Sequence, residues 1–195
     1  MITWPSYIGE IGSCLSNLSI RDDSGKDIDV DAAFLRLQEI TIQVREQKKS
    51  VFLIGNGASA SMASHVAADL TKNAHVRTEV FSDLSLITAI ANDMSYEQVF
   101  AEPLRRRMCN GDMLVAISSS GQSQNILAGV REALRLGGTV TTLSAMRPDN
   151  DLRSLGSLNF YIQSQTYGLA ESCHATILHY WIDQMVECNG HRATG

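Results

Sequence analysis

The spacing of hydrophobic positions changes along the chain, and each change marks the start of a different kind of element. Leu15, Leu18 and Ile20 stand ahead of the polar stretch RDDSGKDID, a pattern that predicts a helix followed by an exposed connection. From Asp31, which is placed to cap a second helix, Ala32, Leu35, Leu37, Ile40 and Val44 recur at roughly helical spacing as far as QKKS at 47–50. Short β-rich runs then alternate with helical stretches. VFLI (51–54) is closed by GNGAS and followed by helix over 60–70, while DMLVAI (112–117) is closed by SSSGQS and followed by the helical NILAGVREALRLGG. Gly137 and Gly138 supply the stop for that helix. TEVF (78–81), TVTTL (139–143) and FYIQ (160–163) are three further strands, and 169–186 reads as a last helix before HRATG, a frayed tail.

Five strands alternating with helices predict an α/β protein: a three-layer α/β/α sandwich with a five-stranded parallel sheet, preceded by N-terminal helices. The 195 residues suit one domain, with 1–50 as a helical extension and 51–188 as the α/β core. A hydrophobic content of 44% with 19% charged residues is enough to bury a core and excludes the composition of disorder. Sixteen Lys+Arg against twenty-one Asp+Glu leave a net charge of −5, so the basic footprint of a nucleic-acid binder is missing. The most apolar run, 84–91, falls well short of the roughly 18 residues of a membrane span. The opening MITWPSYIGEIG has no basic segment followed by an apolar one, which makes the cytoplasm the expected location. Cys14, Cys109, Cys173 and Cys188 are widely spaced, as ordinary thiols are.

Two of the strand-to-helix turns have the composition of anion sites. In Gly55-Asn56-Gly57-Ala58-Ser59 the glycines let the backbone approach a ligand, and Ser59 suits an N-cap, which could also be its whole role. In the second turn Ser118, Ser119, Ser120 and Ser123 surround Gly121, offering four hydroxyls beside helix-start amides where ligands of open α/β sheets collect. A solvent-facing serine loop is the plainer alternative. Gly55-x-Gly57-x-x-Ala60 also satisfies a relaxed dinucleotide fingerprint with Glu79 as a ribose ligand. Two phosphate-sized turns on one sheet suit a sugar phosphate better.

The ordered set GNGASASMASHVAADLT, ITAIAND, ISSSGQSQN and ESCHATILHYWIDQMVE resembles the sugar isomerase (SIS) domain, and within it the phosphoheptose isomerases, from about residue 31 to 187. The resemblance implies the flavodoxin-like sheet, a homotetramer with sites at subunit interfaces, a zinc ion, and conversion of sedoheptulose 7-phosphate to D-glycero-D-manno-heptose 7-phosphate. It makes Asn56, Gly57, Ala58, Ser59, Asn92 and Asp93 substrate contacts, and Ser118, Ser119, Ser120 and Ser123 the phosphate turn. His65, Asp69, Glu171 and His179 fall on its metal ligands, with Asp69 and His179 also its acid/base pair and Asp69 and Glu171 also touching the sugar. The chain departs from the family pattern at several of these places. Ala58 stands for a second glycine, Ser119 for a frequent threonine, Asp69 for glutamate and Glu171 for glutamine, while Asn73 and Gly168 replace an arginine and an aspartate. A non-catalytic SIS module that binds a sugar phosphate or a partner protein as a regulator is the alternative those departures leave open.

Aldose–ketose isomerisation needs a base, an acid and stabilisation of an enediol oxygen. His65 and Asp69, four residues apart on a helix, project from one face, and Glu171 and His179 lie two turns apart on another. Two imidazoles and two carboxylates suit a zinc-like ion better than calcium or magnesium. From spacing alone His65 and Asp69 read rather as a surface i,i+4 pair, which the family match reverses; Glu171 reads also as a solvated helix-start carboxylate, and His179 also as a core histidine. His174, three residues from Glu171, is the alternative ligand. Arg105, Arg106 and Arg107 form a solvated or intersubunit helix face.

Overall fold

A computed structural model describes residues 2–192. The chain opens with helix α1 (Trp4–Ser16), a hairpin of β1 (Ser19–Asp22) and β2 (Asp27–Ile28), and helix α2 (Val30–Glu46). Next come β3 (Ser50–Gly55), α3 (Ala58–Ala74), β4 (Arg77–Val80), α4 (Leu84–Asp93) and α5 (Gln98–Arg107). The second half holds β5 (Met113–Ser118), α6 (Gln124–Arg135), β6 (Thr139–Ala145), a 3-10 turn (Asp151–Ser154), β7 (Leu158–Ile162) and α7 (Tyr167–Arg192). The expected frayed tail is therefore helical at its first two residues, and 193–195 lie outside the described ones.

The sheet has seven strands in the order β2-β1-β7-β6-β5-β3-β4. Its five parallel strands are the five expected ones, and in chain order they run 2-1-3-4-5, the flavodoxin-like arrangement. The two additional strands correct both the strand count and the reading of RDDSGKDID as a connection. β1 joins β7 antiparallel, pairing Ile20 with Phe160, and β2 folds back on β1. Asp22 makes this polar segment a hairpin: its carboxylate accepts from Ser24 N (2.9 Å), Ser24 Oγ (2.6 Å) and Lys26 N (3.0 Å).

Alternate strand residues feed two separate cores, as a sheet covered on both faces requires. Val51, Leu53, Val115, Ile117 and Leu143 pack with α2, α3 and α7, where Trp181 Nε1 donates to Thr41 Oγ1 at 3.0 Å. Phe52, Ile54, Leu114, Ala116 and Val140 pack with α5 and α6 on the opposite face. Two expected caps move by two residues. Asp29, not Asp31, accepts from Ala32 N and caps α2, and Gly57, not Ser59, occupies the N-cap of α3.

Among the described residues no helix is long and apolar enough to cross a membrane. α1 and α4 have no buried residue; Trp4 is 73% and Leu84 74% exposed.

Candidate functional site

The site follows from strand order. From β3 the chain crosses to β4 on one side and then returns to β5 on the other, so the turns after β3 and β5 face each other across the point where the order reverses. Helices α3 and α6 leave these turns, and both N-termini open on the same crevice.

The first turn is tight because Gly55 has no side chain: a Cβ there would lie 2.6 Å from the backbone carbonyl carbon and oxygen of Ser59. Gly57 enters α3 at φ +56°, a conformation that disfavours other residues. Ser59 is buried in the first turn of α3 and lines the crevice. In the second turn Gly121, at φ +62°, donates its N–H to Ser118 O (3.0 Å), and a Cβ would run into the Asn150 side chain. Ser123 caps α6 by position without using its hydroxyl on the helix; instead it accepts from Ser118 Oγ at 3.3 Å.

Together the turns enclose a cleft of about 170 Å³ lined by Asn56, Ser59, Ser118, Ser119, Ser120 and Ser123, with Tyr167 and Glu171 at its mouth. No lysine or arginine lines it. Ser119 Oγ is buried there without a hydrogen-bond partner, a cost of about 1–3 kcal/mol unless a ligand supplies the bond. Hydroxyls and helix-start amides without a fixed cation are a way for an acidic protein to hold a phosphate dianion.

A second cluster lies between α3 and α7. His65 and Asp69 project from the exposed side of α3 because Ala63, Val66, Ala67 and Leu70 take its buried side. His65 Nε2 is 3.3 Å from Asp69 Oδ2, and the His65 and His179 rings are 5.3 Å apart. Donor atoms of all three residues lie within 4.8 Å of one another. Ligands about 2.0–2.1 Å from a tetrahedral zinc stand roughly 3.4 Å apart, so the donor set and its spacing fit that ion.

Several expectations are thereby sorted. His179 is exposed, not a core histidine. Glu171 does not join the three-residue cluster; it stands two turns before His179, roughly 12 Å along the axis, and lines the serine cleft instead. Asn92 and Asp93 end α4 and bond each other (2.8 Å) without lining the cleft. Gly57 and Ala58 open α3 at the cleft rim without lining it. The arginine run is internally committed: Arg105 bridges Glu102 (2.6 Å) and Glu132 (3.1 Å), Arg106 meets Glu102 (2.8 Å), and Arg107 pairs with Glu79 (3.3 Å). Tyr167, which lines the cleft, and Asn125, which bonds the lining residue Asn56, were not legible as such in the sequence. The signal for Asn125 was its place two residues after Ser123, but its partner Asn56 is 69 residues away.

His174 is structural rather than a ligand. It is fully buried, its Nε2 lies 3.2 Å from Ser144 O, and burial pushes its pKa down to about 4. An unfolded histidine takes up its proton near 6.5, so between pH 6.5 and 4 the unfolded chain binds more protons and stability falls as pH falls. Denaturant unfolding across that window should show a loss approaching about 3 kcal/mol, flattened in His174→Gln. Equal pH slopes in the two proteins would remove His174 as the cause.

Residues 29–145 match the SIS domain family. Among curated proteins, the phosphoheptose isomerase of Helicobacter pylori (strain Shi470) is 34% identical over 151 residues, covering 74% of this chain and 78% of the relative. The fold matches the structure of a phosphoheptose isomerase from Neisseria gonorrhoeae with a TM-score of 0.79 at 22% identity, covering 93% of this chain and 94% of that one. It matches another from Francisella tularensis with a TM-score of 0.80, also at 22% identity, covering 94% of each. With the switch-point cleft, the family match and the relative's identity in agreement, the chain belongs to the SIS domain family, in its phosphoheptose isomerase branch, and is a sugar-phosphate isomerase.

Proposed function

We propose that the protein interconverts sedoheptulose 7-phosphate and D-glycero-D-manno-heptose 7-phosphate, with the phosphate seated in the serine turn. The observation that carries this reading is the turn itself: Ser118, Ser119, Ser120 and Ser123 line a cleft beside the start of α6 that no lysine or arginine lines. Ser118, Ser120 and Ser123 complete the phosphate seat, and Asn56 and Ser59 face it from the opposite turn. Glu171 lies where sugar hydroxyls leave the phosphate, and its carboxylate accepts hydrogen bonds from them.

Asp69 removes the proton from the carbon beside the carbonyl, and His179 carries protons to and from the oxygens of the enediol. The 3.3 Å contact of Asp69 with His65 keeps its carboxylate aimed along α3, which matters because aspartate is one methylene shorter than the family's glutamate. His65, Asp69 and His179 would hold a zinc ion, which when bound polarises the carbonyl and stabilises negative charge on its oxygen. The exposure of His65 and His179, together with the uncovered apolar residues of α1 and α4, supports a homotetramer in which neighbouring copies close the sites.

The test is turnover of sedoheptulose 7-phosphate by zinc-loaded protein in deuterated water. Aldose should appear, with deuterium on the reacting carbon. No aldose and no deuterium in recovered sugar would end the heptose reading.

A further inference from the structure

Asn56 faces the cleft, and the way its side chain is held determines what it can offer a ligand. An amide in such a position can turn over, presenting either an acceptor oxygen or a donor nitrogen. Here the choice is forced by a backbone group. Ile126 N, in the first turn of α6, donates to Asn125 Oδ1 at 3.0 Å, which sets the orientation of the Asn125 amide. Asn125 is only 3% exposed, so it has no water to take the place of a lost partner. The same Oδ1 accepts from Asn56 Nδ2 at 2.9 Å, and Asn125 Nδ2 donates back to Asn56 Oδ1 at 2.9 Å. Tyr96 Oη adds a second donor to Asn56 Oδ1 at 3.3 Å. The oxygen of Asn56 is thus turned inward and doubly engaged, while one of the two Nδ2 hydrogens is left for the cleft.

We infer that Asn125 is a positioning residue for the isomerase: it locks the β3 and β5 turns together and makes Asn56 a pure N–H donor toward an oxygen of the sugar. The inference rests on the sugar-phosphate reading of the cleft. It differs from a phosphate-binding role because the phosphate seat is built on the other turn, from Ser118 to Ser123, whose hydroxyls do not touch Asn125. Loss of Asn125 frees the Asn56 amide to rotate and to present its oxygen to sugar oxygens, which is repulsive unless a hydroxyl reorients.

The experiment compares wild type with Asn125→Leu, similar in volume, and Asn125→Ser, which keeps an acceptor for Ile126 N; neither adds charge beside the phosphate seat. The kcat/KM for heptose phosphate should fall at least tenfold in both, while the inhibition constant of inorganic phosphate moves less than about threefold. Unchanged kcat/KM, or phosphate inhibition weakened in step with it, would overturn the inference, since a general loosening of the fold weakens both together. A wild type inactive on heptose phosphate would defeat the substrate reading and leave the amide assignment to a separate measurement. In ¹⁵N-labelled protein without ligand, one Asn56 Nδ2 proton should exchange slowly and the other fast, and both fast in the two variants. Two fast protons in wild type would defeat the positioning claim whatever the substrate.

Discussion

Asp69→Asn is expected to lower kcat by about 10²–10⁴-fold, the range that a positioned general base contributes. The substitution preserves shape and leaves an oxygen able to contact His65 and a metal ion, but an amide cannot take a proton from carbon. Because Asp69 lies in the His65/His179 cluster and is also the proposed base, turnover alone is ambiguous, and zinc content must be measured on the same sample. Zinc retained with kcat down a hundredfold or more places the loss in proton transfer. Zinc lost in proportion to activity would make Asp69 a ligand and move the base elsewhere. Phosphate inhibition provides the internal control, because the serine turn does not include Asp69. His65→Ala should show the converse pattern, with metal loss leading and activity recovered in part by excess zinc.

The parallel core and the two turns that line the cleft were legible in the sequence because their signals are local. Each of the strands β3 and β5 is a short apolar run closed by glycine and serine, and the helices after them keep an apolar side. The hairpin of β1 and β2 was not legible, since only Ile20 is fully buried, Ile28 packs against the core half-covered, and the turn is made by Asp22 bonding its neighbours, which reads as a loop in any one-dimensional pattern. The cap positions failed for a related reason. Asp29 and Asp31 are chemically equal candidates two residues apart, and which of them caps the helix depends on where the chain leaves β2. His65 and Asp69 were found as a pair by helical spacing, but bringing His179 beside them depends on α3 lying against α7, which spacing does not encode. The same limit explains Glu171. Sharing a helix with His179 made the two look like partners, whereas two helical turns carry Glu171 to the serine cleft. The departures from the family pattern at Asp69 and Glu171 thus fall in different places, one in the His65/His179 cluster and one in the serine cleft.

The second large effect is structural and reaches the chemistry through the backbone. Gly55→Ala would place a methyl group 2.6 Å from the carbonyl carbon and oxygen of Ser59, atoms that belong to the first turn of α3 and cannot rotate out of the way. Either the turn opens or the start of α3 shifts, and both choices disturb Asn56, Ser59 and the register that carries His65 and Asp69. Overpacking of this kind costs about 3 kcal/mol, which for a domain of this size lowers Tm by about 6–12 °C. If the turn is strained as the contact distance demands, Gly55→Ala should also weaken inorganic phosphate inhibition, because the two facing turns no longer meet across the cleft. A Tm within about 2 °C of wild type, with phosphate inhibition intact, would show that α3 can yield at its first turn without moving the site.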